Sequence, residues 1–179
     1  MSPFIETIRI ENGQIHNLPY HNRRMNEIRR DVLHQTGFLD LSDCIQPGDY
    51  RERTKCRVEY DKDILKVEYA SYRIRPVSSL RLVADDEADY RYKSTDRSVL
   101  NRLFDLRETE DDVLIVRRGW LTDTSICNIA LWNGKQWITP SVPLLAGTKR
   151  ASLLDRGEMV VISGRRICRA IPVSGCSMR

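Results

Sequence analysis

The sequence predicts an α+β fold arranged in two small lobes. Short segments of strand-like composition dominate, and tight-turn signals such as Asn12-Gly13 separate them. One longer stretch, residues 18 to about 35, instead repeats its apolar residues with helical spacing. Proline and small polar residues at 76–79 interrupt both patterns, which is typical of a linker. We therefore expect a small first lobe over 1–77 and a larger second lobe over 80–179.

The first lobe is predicted to be an antiparallel sheet with one helix packed on it. The expected strands are residues 4–10, 51–60 and 63–73. The helix places apolar residues three to five positions apart, and these are Tyr20, Met25, Ile28 and Val32. Gly37 is the predicted helix stop. Residues 38–50 are rich in turn formers, which indicates a loop or a short helix.

The second lobe is predicted to mix short strands with two helices. The expected strands are 80–84, 113–116, 126–132, 135–139, 158–162 and 166–172. One helix is expected from about Thr95 to Leu106, and another begins near Gly147-Thr148. The apolar face of the first helix would consist of Val99, Leu100, Leu103 and Leu106.

Composition and charge exclude several classes of protein. Of 179 residues, 41% are hydrophobic and 30% are charged, as in a globular chain. No apolar run approaches the roughly 20 residues of a membrane helix, and no signal peptide is visible, so we expect a cytoplasmic protein that binds no membrane. The net charge of +4 suits an anionic ligand as well as a nucleic acid, but no nucleic-acid-binding motif accompanies it, so we expect no nucleic-acid partner. The five cysteines and three histidines show no metal spacing, so we expect no metal site.

Arg24 is a candidate for anion binding because of its place on the predicted helix. At about 100° per residue, it lies about 40° from Ile28, at the edge of the apolar face. Arg23, Arg29 and Arg30 should instead be solvated. A buried guanidinium requires an anionic partner. That partner is either a carboxylate of this protein or a bound phosphate, and the spacing alone favours the carboxylate.

Three further segments contain groups that can carry chemistry. Lys93 stands between tyrosines and a predicted helix start, and a desolvated lysine can form a Schiff base. Residues 120–130 combine Asp123 with short hydroxyl side chains and Asn128, an arrangement equally typical of a turn. Gly147-Thr148 begins a helix, where backbone N–H groups favour an anion, although a plain helix cap has the same pattern. Each segment alone is a weak signal.

Taken in order, these segments resemble the class IV aminotransferase family, the fold-type IV pyridoxal-phosphate enzymes. This family includes 4-amino-4-deoxychorismate lyase, D-amino-acid aminotransferase and branched-chain aminotransferase. Residues 4–9 (Phe-Ile-Glu-Thr-Ile-Arg) resemble the family's F-E-T-I-R segment and are followed by Asn12-Gly13. The segment His21-x-x-Arg24-Met25 is similar to the family's H-x-x-R-L helix. The other matches are Lys93-Ser-Thr-Asp-Arg97, Leu121-Thr-Asp123 through Asn128-Ile, and Leu145-Ala-Gly147 through Leu154. The matches cover nearly the whole chain, with termini shorter than is usual in the family.

The resemblance implies a two-lobe D-amino-acid aminotransferase-like fold that binds pyridoxal 5′-phosphate. Lys93 would be the Schiff-base lysine and the proton carrier, and Asp123 would contact the pyridine nitrogen. The phosphate would be held by Arg24, Ser125, Ile126, Thr148 and Lys149. Two of these positions depart from the family: Asp123 stands where glutamate is usual, and Lys149 replaces a threonine. A homodimer is also implied.

The resemblance leaves the reaction open. Lys93-Ser-Thr-Asp-Arg97 is nearest the 4-amino-4-deoxychorismate lyase branch, which eliminates pyruvate and leaves 4-aminobenzoate. An aminotransferase of the branched-chain or D-amino-acid type would use the same lysine and cofactor on an amino-acid-like substrate. A third possibility is a relative that binds the cofactor, or another phosphate ligand, without turnover.

Overall fold

The computed structural model describes residues 2–162 of the chain, and these residues divide into two units. The first unit contains residues 2–75 and 92–96, and the second contains 76–91 and 97–162. Each unit has its own sheet structure and its own apolar core. The strand predicted at 166–172 lies outside the described residues.

The first unit is built on an antiparallel sheet, as the sequence predicts, and this sheet has four strands. Its strands are β1 (Phe4–Glu11), β2 (Gln14–Ile15), β3 (Thr54–Tyr60) and β4 (Ile64–Ser71), in the spatial order β2-β1-β3-β4. Asn12 and Gly13 join the first two strands with φ angles of 52° and 71°. These left-handed angles are those that a type I′ turn requires, so the predicted hairpin is confirmed.

Helix α1 (Leu18–Asp31) supplies its apolar stripe to the core of this unit. Met25 and Ile28 are buried among Ile8, Ile10 and Val58 of the sheet. The predicted end of the helix is too late, because the C-cap is Val32 and His34 already has a positive φ of 56°. In the following loop, a 3-10 turn covers Leu41–Asp43.

The prediction that Arg29 is solvated is wrong. Its relative exposure is 4%, and its guanidinium donates two hydrogen bonds to the Lys62 carbonyl, at 3.1 Å from Nε and 2.9 Å from Nη2. Further bonds reach the Asn26 side chain and the Gly37 carbonyl. Segments that follow the helix therefore cover a face that helical spacing assigns to solvent.

Residues 92–96 belong to the first unit because they pair with the start of β1. Ile5 donates its backbone N–H to the Lys93 carbonyl at 2.8 Å, and Thr95 donates to the Pro3 carbonyl at 2.9 Å. Phe4 and Ser94 form an antiparallel bridge. This pairing explains why the next helix, α2 (Ser98–Asp105), begins three residues later than predicted.

The second unit contains two three-stranded sheets. The first comprises β5 (Leu80–Ala84), β6 (Asp112–Arg117) and β7 (Trp120–Thr124), and the second comprises β8 (Leu131–Trp132), β9 (Trp137–Pro140) and β10 (Met159–Ile162). Both parallel pairs, β5–β6 and β9–β10, are joined through a helix: α2 in the first and α3 (Thr148–Asp155) in the second. Leu100 and Leu103 of α2 are buried, but Leu106 lies past the helix end and is 48% exposed.

Strand β7 is the element that the sequence pattern did not predict. Residues 120–124 pair with β6 across a turn at Arg118-Gly119, and the predicted strand at 126–132 begins only at Leu131. The polar residues of β7 are buried and bonded. For example, Thr122 donates from Oγ1 to the Ile115 carbonyl at 2.9 Å.

Within residues 2–162, no helix is long and apolar enough to cross a membrane.

Candidate functional site

Glu6 is a fully buried carboxylate in the middle of β1, and it is the partner of Arg24. Arg24 donates from Nε to Oε1 at 2.9 Å and from Nη2 to Oε2 at 2.5 Å. This is the bidentate geometry in which a guanidinium and a carboxylate bind most strongly. Of the two partners that the sequence left open for Arg24, the structure thus contains the internal carboxylate.

His21 completes this cluster. Its Nδ1 lies 2.6 Å from Oε2 of Glu6. Burial raises the pKa of Glu6, but the charge of Arg24 and the hydrogen bonds from His21 and Arg24 outweigh it, so the pKa is lowered from its usual value. An ionised carboxylate only accepts hydrogen bonds, so Nδ1 of His21 is the donor in this contact.

The role of Glu6 was missed at the sequence level, although a signal was present. Phe4, Glu6, Ile8 and Ile10 alternate along β1 and share one face of the strand. A carboxylate within a run of buried apolar positions requires a buried cation. The edge position of Arg24 on α1 makes it the matching candidate.

Lys93 is half-buried on the segment that pairs with β1. Its backbone is fixed through the carbonyl that accepts from Ile5, and the preceding ring, Tyr92, meets Phe4 edge to face at 6.2 Å. Phe4 also lies 6.0 Å from Tyr60. The predicted Schiff-base lysine thus lies on a segment of the first unit that is hydrogen-bonded to β1.

Asp123 is the buried carboxylate of the second unit, on β7, with 5% exposure. Its Oδ1 accepts from the Asn128 side chain at 2.8 Å, and its Oδ2 accepts from the Leu145 backbone at 2.9 Å. Burial raises the pKa of Asp123 to about 6, and these neutral donors and the more distant Arg150 offset burial only in part. Within residues 2–162, no cation forms an ion pair with this carboxylate.

Asn128 connects Asp123 to the segment before α3. Its Nδ2 also donates to the Leu145 carbonyl at 2.8 Å. Its Oδ1 lies against Gly147, where an added Cβ would be 1.8 Å away. Gly147 has an ordinary extended backbone, with φ −73° and ψ 138°, so Asn128 and not the backbone excludes a side chain here.

The loop 124–128 carries two of the predicted phosphate ligands. Ser125 is buried, its N–H points to Oδ1 of Asp112 at 3.3 Å, and its carbonyl accepts from Arg97 at 2.8 Å. Ile126 has an exposed side chain, and its N–H donates to Oγ1 of Thr124 at 3.3 Å. Hydrogen bonds to neighbouring residues therefore define the shape of the loop.

The remaining predicted ligands begin α3. Thr148 is the first helical residue and is half-buried, whereas Lys149 is exposed. The positive end of the helix dipole lies at this terminus and favours an anion. The second unit thus holds Asp123, Ser125, Ile126, Thr148 and Lys149, while the first unit holds Arg24 and Lys93. In the described part of the chain, no cluster of metal-ligating side chains occurs.

Comparison with known proteins identifies relatives of this chain and solved structures that share its fold. No protein-family model matches the chain. An uncharacterized protein of Haemophilus influenzae is 34% identical over 163 residues, which is 89% of this chain and 87% of that protein. The crystal structure of a "putative 4-amino-4-deoxychorismate lyase" of Haemophilus somnus is 30% identical with a TM-score of 0.86, over 99% of this chain and 98% of that one.

A more distant solved structure shares the fold alone. A hypothetical aminotransferase of Mycobacterium tuberculosis in its PLP-bound form has a TM-score of 0.71 at 14% identity, over 92% of this chain and 72% of that one. The predicted fold class is therefore confirmed. The chain has the fold of the fold-type IV enzymes, and it belongs to the family of the Haemophilus influenzae and Haemophilus somnus proteins.

Proposed function

We propose that the protein is a pyridoxal 5′-phosphate-dependent lyase that eliminates pyruvate from 4-amino-4-deoxychorismate and leaves 4-aminobenzoate. The observation that carries this proposal is the buried Asp123 carboxylate, which accepts hydrogen bonds from uncharged donors and forms no ion pair within residues 2–162. Support for the substrate comes from the description of the Haemophilus somnus protein and from the Lys93-Ser-Thr-Asp-Arg97 segment.

The residues of this chain fit the cofactor. A buried carboxylate that makes no ion pair is stabilised when a positive charge is placed directly beside it. A protonated pyridine nitrogen is such a charge, and the two oxygens of a carboxylate offer about four acceptor positions, more than the bonds to Asp123 from Asn128, Leu144 and Leu145 occupy. When bound, the cofactor supplies an aldehyde carbon and a ring that accepts electrons.

Lys93 has two tasks in this proposal. Its amine would hold the cofactor covalently, and it would carry a proton to and from the substrate α-carbon. The hydrogen bond from the Ile5 N–H to the Lys93 carbonyl fixes the backbone from which this side chain extends. Asp123, when ionised, keeps the ring nitrogen protonated.

The phosphate is assigned to Arg24, Ser125, Ile126, Thr148 and Lys149. The two bonds from Arg24 to Glu6 fix the position of this guanidinium, and a guanidinium is a group that binds phosphate strongly through paired hydrogen bonds. The Ile126 N–H makes a bond long enough to be shared. The start of α3 adds backbone N–H groups and its dipole.

A trapping experiment tests the cofactor site. The protein is incubated with pyridoxal 5′-phosphate, its visible absorbance is recorded, and borohydride reduction is followed by peptide mapping. We expect the label on Lys93, retained in Lys135→Ala and lost in Lys93→Ala. Lys135 lies exposed on the turn between β8 and β9, so it is a matched control. A label scattered over surface lysines would contradict the proposal.

Product analysis tests the reaction. Pyruvate and 4-aminobenzoate released together from 4-amino-4-deoxychorismate would support the lyase. Amino-group transfer to a keto acid, without 4-aminobenzoate, would replace it with an aminotransferase. A Lys93-linked cofactor with neither product would identify a binding protein. The homodimer implied by the resemblance is likewise a proposal, and light scattering of the purified protein tests it.

A further inference from the structure

We infer that Asn128 is a positioning residue, which orients the Asp123 carboxylate toward the cofactor's ring nitrogen and ties it to the start of α3. This inference rests on the proposed function, because it assigns Asp123 to the ring nitrogen. It adds a residue that the sequence analysis left without a role in cofactor binding.

The first support is a closed ring of hydrogen bonds. Asn128 donates from Nδ2 to Oδ1 of Asp123 and to the Leu145 carbonyl, both at 2.8 Å, and Leu145 returns its own N–H to Oδ2 of Asp123 at 2.9 Å. Both oxygens of the carboxylate are thus held, which fixes the plane of the group. Asp123 and Asn128 are also bridged through their backbones.

The partners of Asn128 also determine which way its carboxamide faces. Both of its N–H donors are used on oxygen acceptors, so a flipped side chain would set its oxygen against two other oxygens. In the observed orientation, Oδ1 faces Gly147.

The second support is the close approach at Gly147. An added Cβ would lie 1.8 Å from Oδ1 of Asn128, although the Gly147 backbone is one that alanine adopts readily. The carboxamide therefore occupies the space that a side chain at 147 would fill. Since Thr148 starts α3 directly after Gly147, a single side chain contacts Asp123 and abuts the proposed phosphate-binding turn.

Asparagine is chemically suited to this position. Alanine or leucine would remove the donor to Asp123 and leave the Leu145 carbonyl without its partner. Aspartate would place a second carboxylate beside the first, and like charges at this separation suppress ionisation. Only a short side chain with an N–H₂ group donates to both oxygens at once.

The test measures the protonation of the ring nitrogen. Pyridoxal 5′-phosphate labelled with ¹⁵N in the ring is bound to the wild type, to Asn128→Ala and to Gly147→Ala, and the ¹⁵N shift is followed with pH. We expect a protonated nitrogen at neutral pH in the wild type. In Asn128→Ala, we expect its apparent pKa to fall by about one unit or more, a tenfold or larger loss of proton affinity. Gly147→Ala, which displaces the carboxamide without removing it, should shift it in the same direction.

A double-mutant cycle supplies a second readout that needs no cofactor. The loss of thermal stability of the apo-protein in Gly147→Ala should largely vanish in the Asn128→Ala background, because the new methyl group then has room. This cycle tests the contact between the two residues, and it remains informative if one variant binds the cofactor poorly.

The outcomes separate the two proposals. If the wild type acquires no Lys93-linked cofactor, the proposed function fails and the inference fails with it. If the wild type is labelled on Lys93 but Asn128→Ala and Gly147→Ala keep its ¹⁵N titration while losing only thermal stability, Asn128 is merely structural and the inference alone is overturned. Additive stability losses in the cycle would also overturn the link to α3.

Discussion

Each unit of the protein buries one carboxylate on a strand, and the two are held in opposite ways. Glu6 on β1 is contacted by Arg24 and His21, and its pKa is lowered despite complete burial. Asp123 on β7 is contacted by an amide and by backbone N–H groups, and burial raises its pKa to about 6. The partners, and not the depth of burial, decide the sign of each shift.

The difference separates a carboxylate that already has a cationic partner from a carboxylate that can still accept a positive charge. The Glu6 cluster contains its own counter-ion, so its charges are balanced within the chain. Asp123 has the hydrogen bonds that fix a carboxylate but no ion pair among the described residues. The first arrangement stabilises the fold, whereas the second suits a cationic ligand group, which is the part that Asp123 plays in the proposed function.

The largest expected effect comes from removing the counter-ion of Glu6. Arg24→Ala removes the guanidinium from the buried Glu6 and leaves its contact with His21, and breaking a buried pair in this way costs about 3–5 kcal/mol of unfolding free energy. Urea denaturation at pH 7 measures it. The matched control is the double variant Glu6→Gln/Arg24→Met, which should lose less than Arg24→Ala. An equal or larger loss in the control would show that packing, and not the unpaired charge, dominates.

The stability contributed by Asp123 should depend on pH with the opposite sign to the stability contributed by Glu6. Its pKa rises from near 3.8 in the unfolded chain to about 6 in the folded protein, so the folded state binds the proton more tightly. The resulting stabilisation is present below pH 4 and is lost as the pH rises through 6, a change of about 3 kcal/mol. For Glu6, the lowered pKa means that stabilisation is lost as the pH falls through the folded value.

The difference in unfolding free energy between the wild type and Asp123→Asn, measured from pH 4 to pH 7, isolates the first effect. The wild type should lose stability relative to the variant as the pH rises. A flat difference, or one that increases with pH, would mean that Asp123 has a cationic partner in the folded protein.

Because Asn128 packs closely against Gly147, replacing this glycine should lower the stability of the protein. Gly147→Ala forces the Asn128 side chain away, and overpacking of this kind costs about 1–3 kcal/mol. Gly37→Ala is the control, because nothing lies within 4 Å of an added Cβ there. Thermal unfolding measures the stability of both variants. Equal stability of the two would contradict the close approach of Asn128 to Gly147.

The smallest expected effect is at His21. His21→Phe removes one hydrogen bond to Glu6 while Arg24 remains, so we expect a loss of about 1.5 kcal/mol, the low end for a bond to a charged group. Denaturation at pH 7 measures it. A loss as large as that of Arg24→Ala would mean that His21, and not Arg24, is the main partner of Glu6.

The sequence by itself determined the local architecture and the order of the motifs. The Asn12-Gly13 turn, the apolar stripe of α1 and the alternation along β1 depend on neighbours within about four residues, which periodicity reports directly. The five ordered motifs likewise pointed to the fold. The cofactor roles of the residues in those motifs stay predictions.

The tertiary structure decided which polar groups meet. Glu6 and Arg24 are 18 residues apart, and Asp123 and Leu145 are 22 apart, so their pairing depends on how strands and loops pack. The same reason explains the misjudged burial of Arg29, whose partner Lys62 is 33 residues away, and the unpredicted strand β7, whose Thr122 hydroxyl donates to the Ile115 carbonyl of β6. Local periodicity carries no information about contacts at such separations, and only packing brings these groups within hydrogen-bond distance.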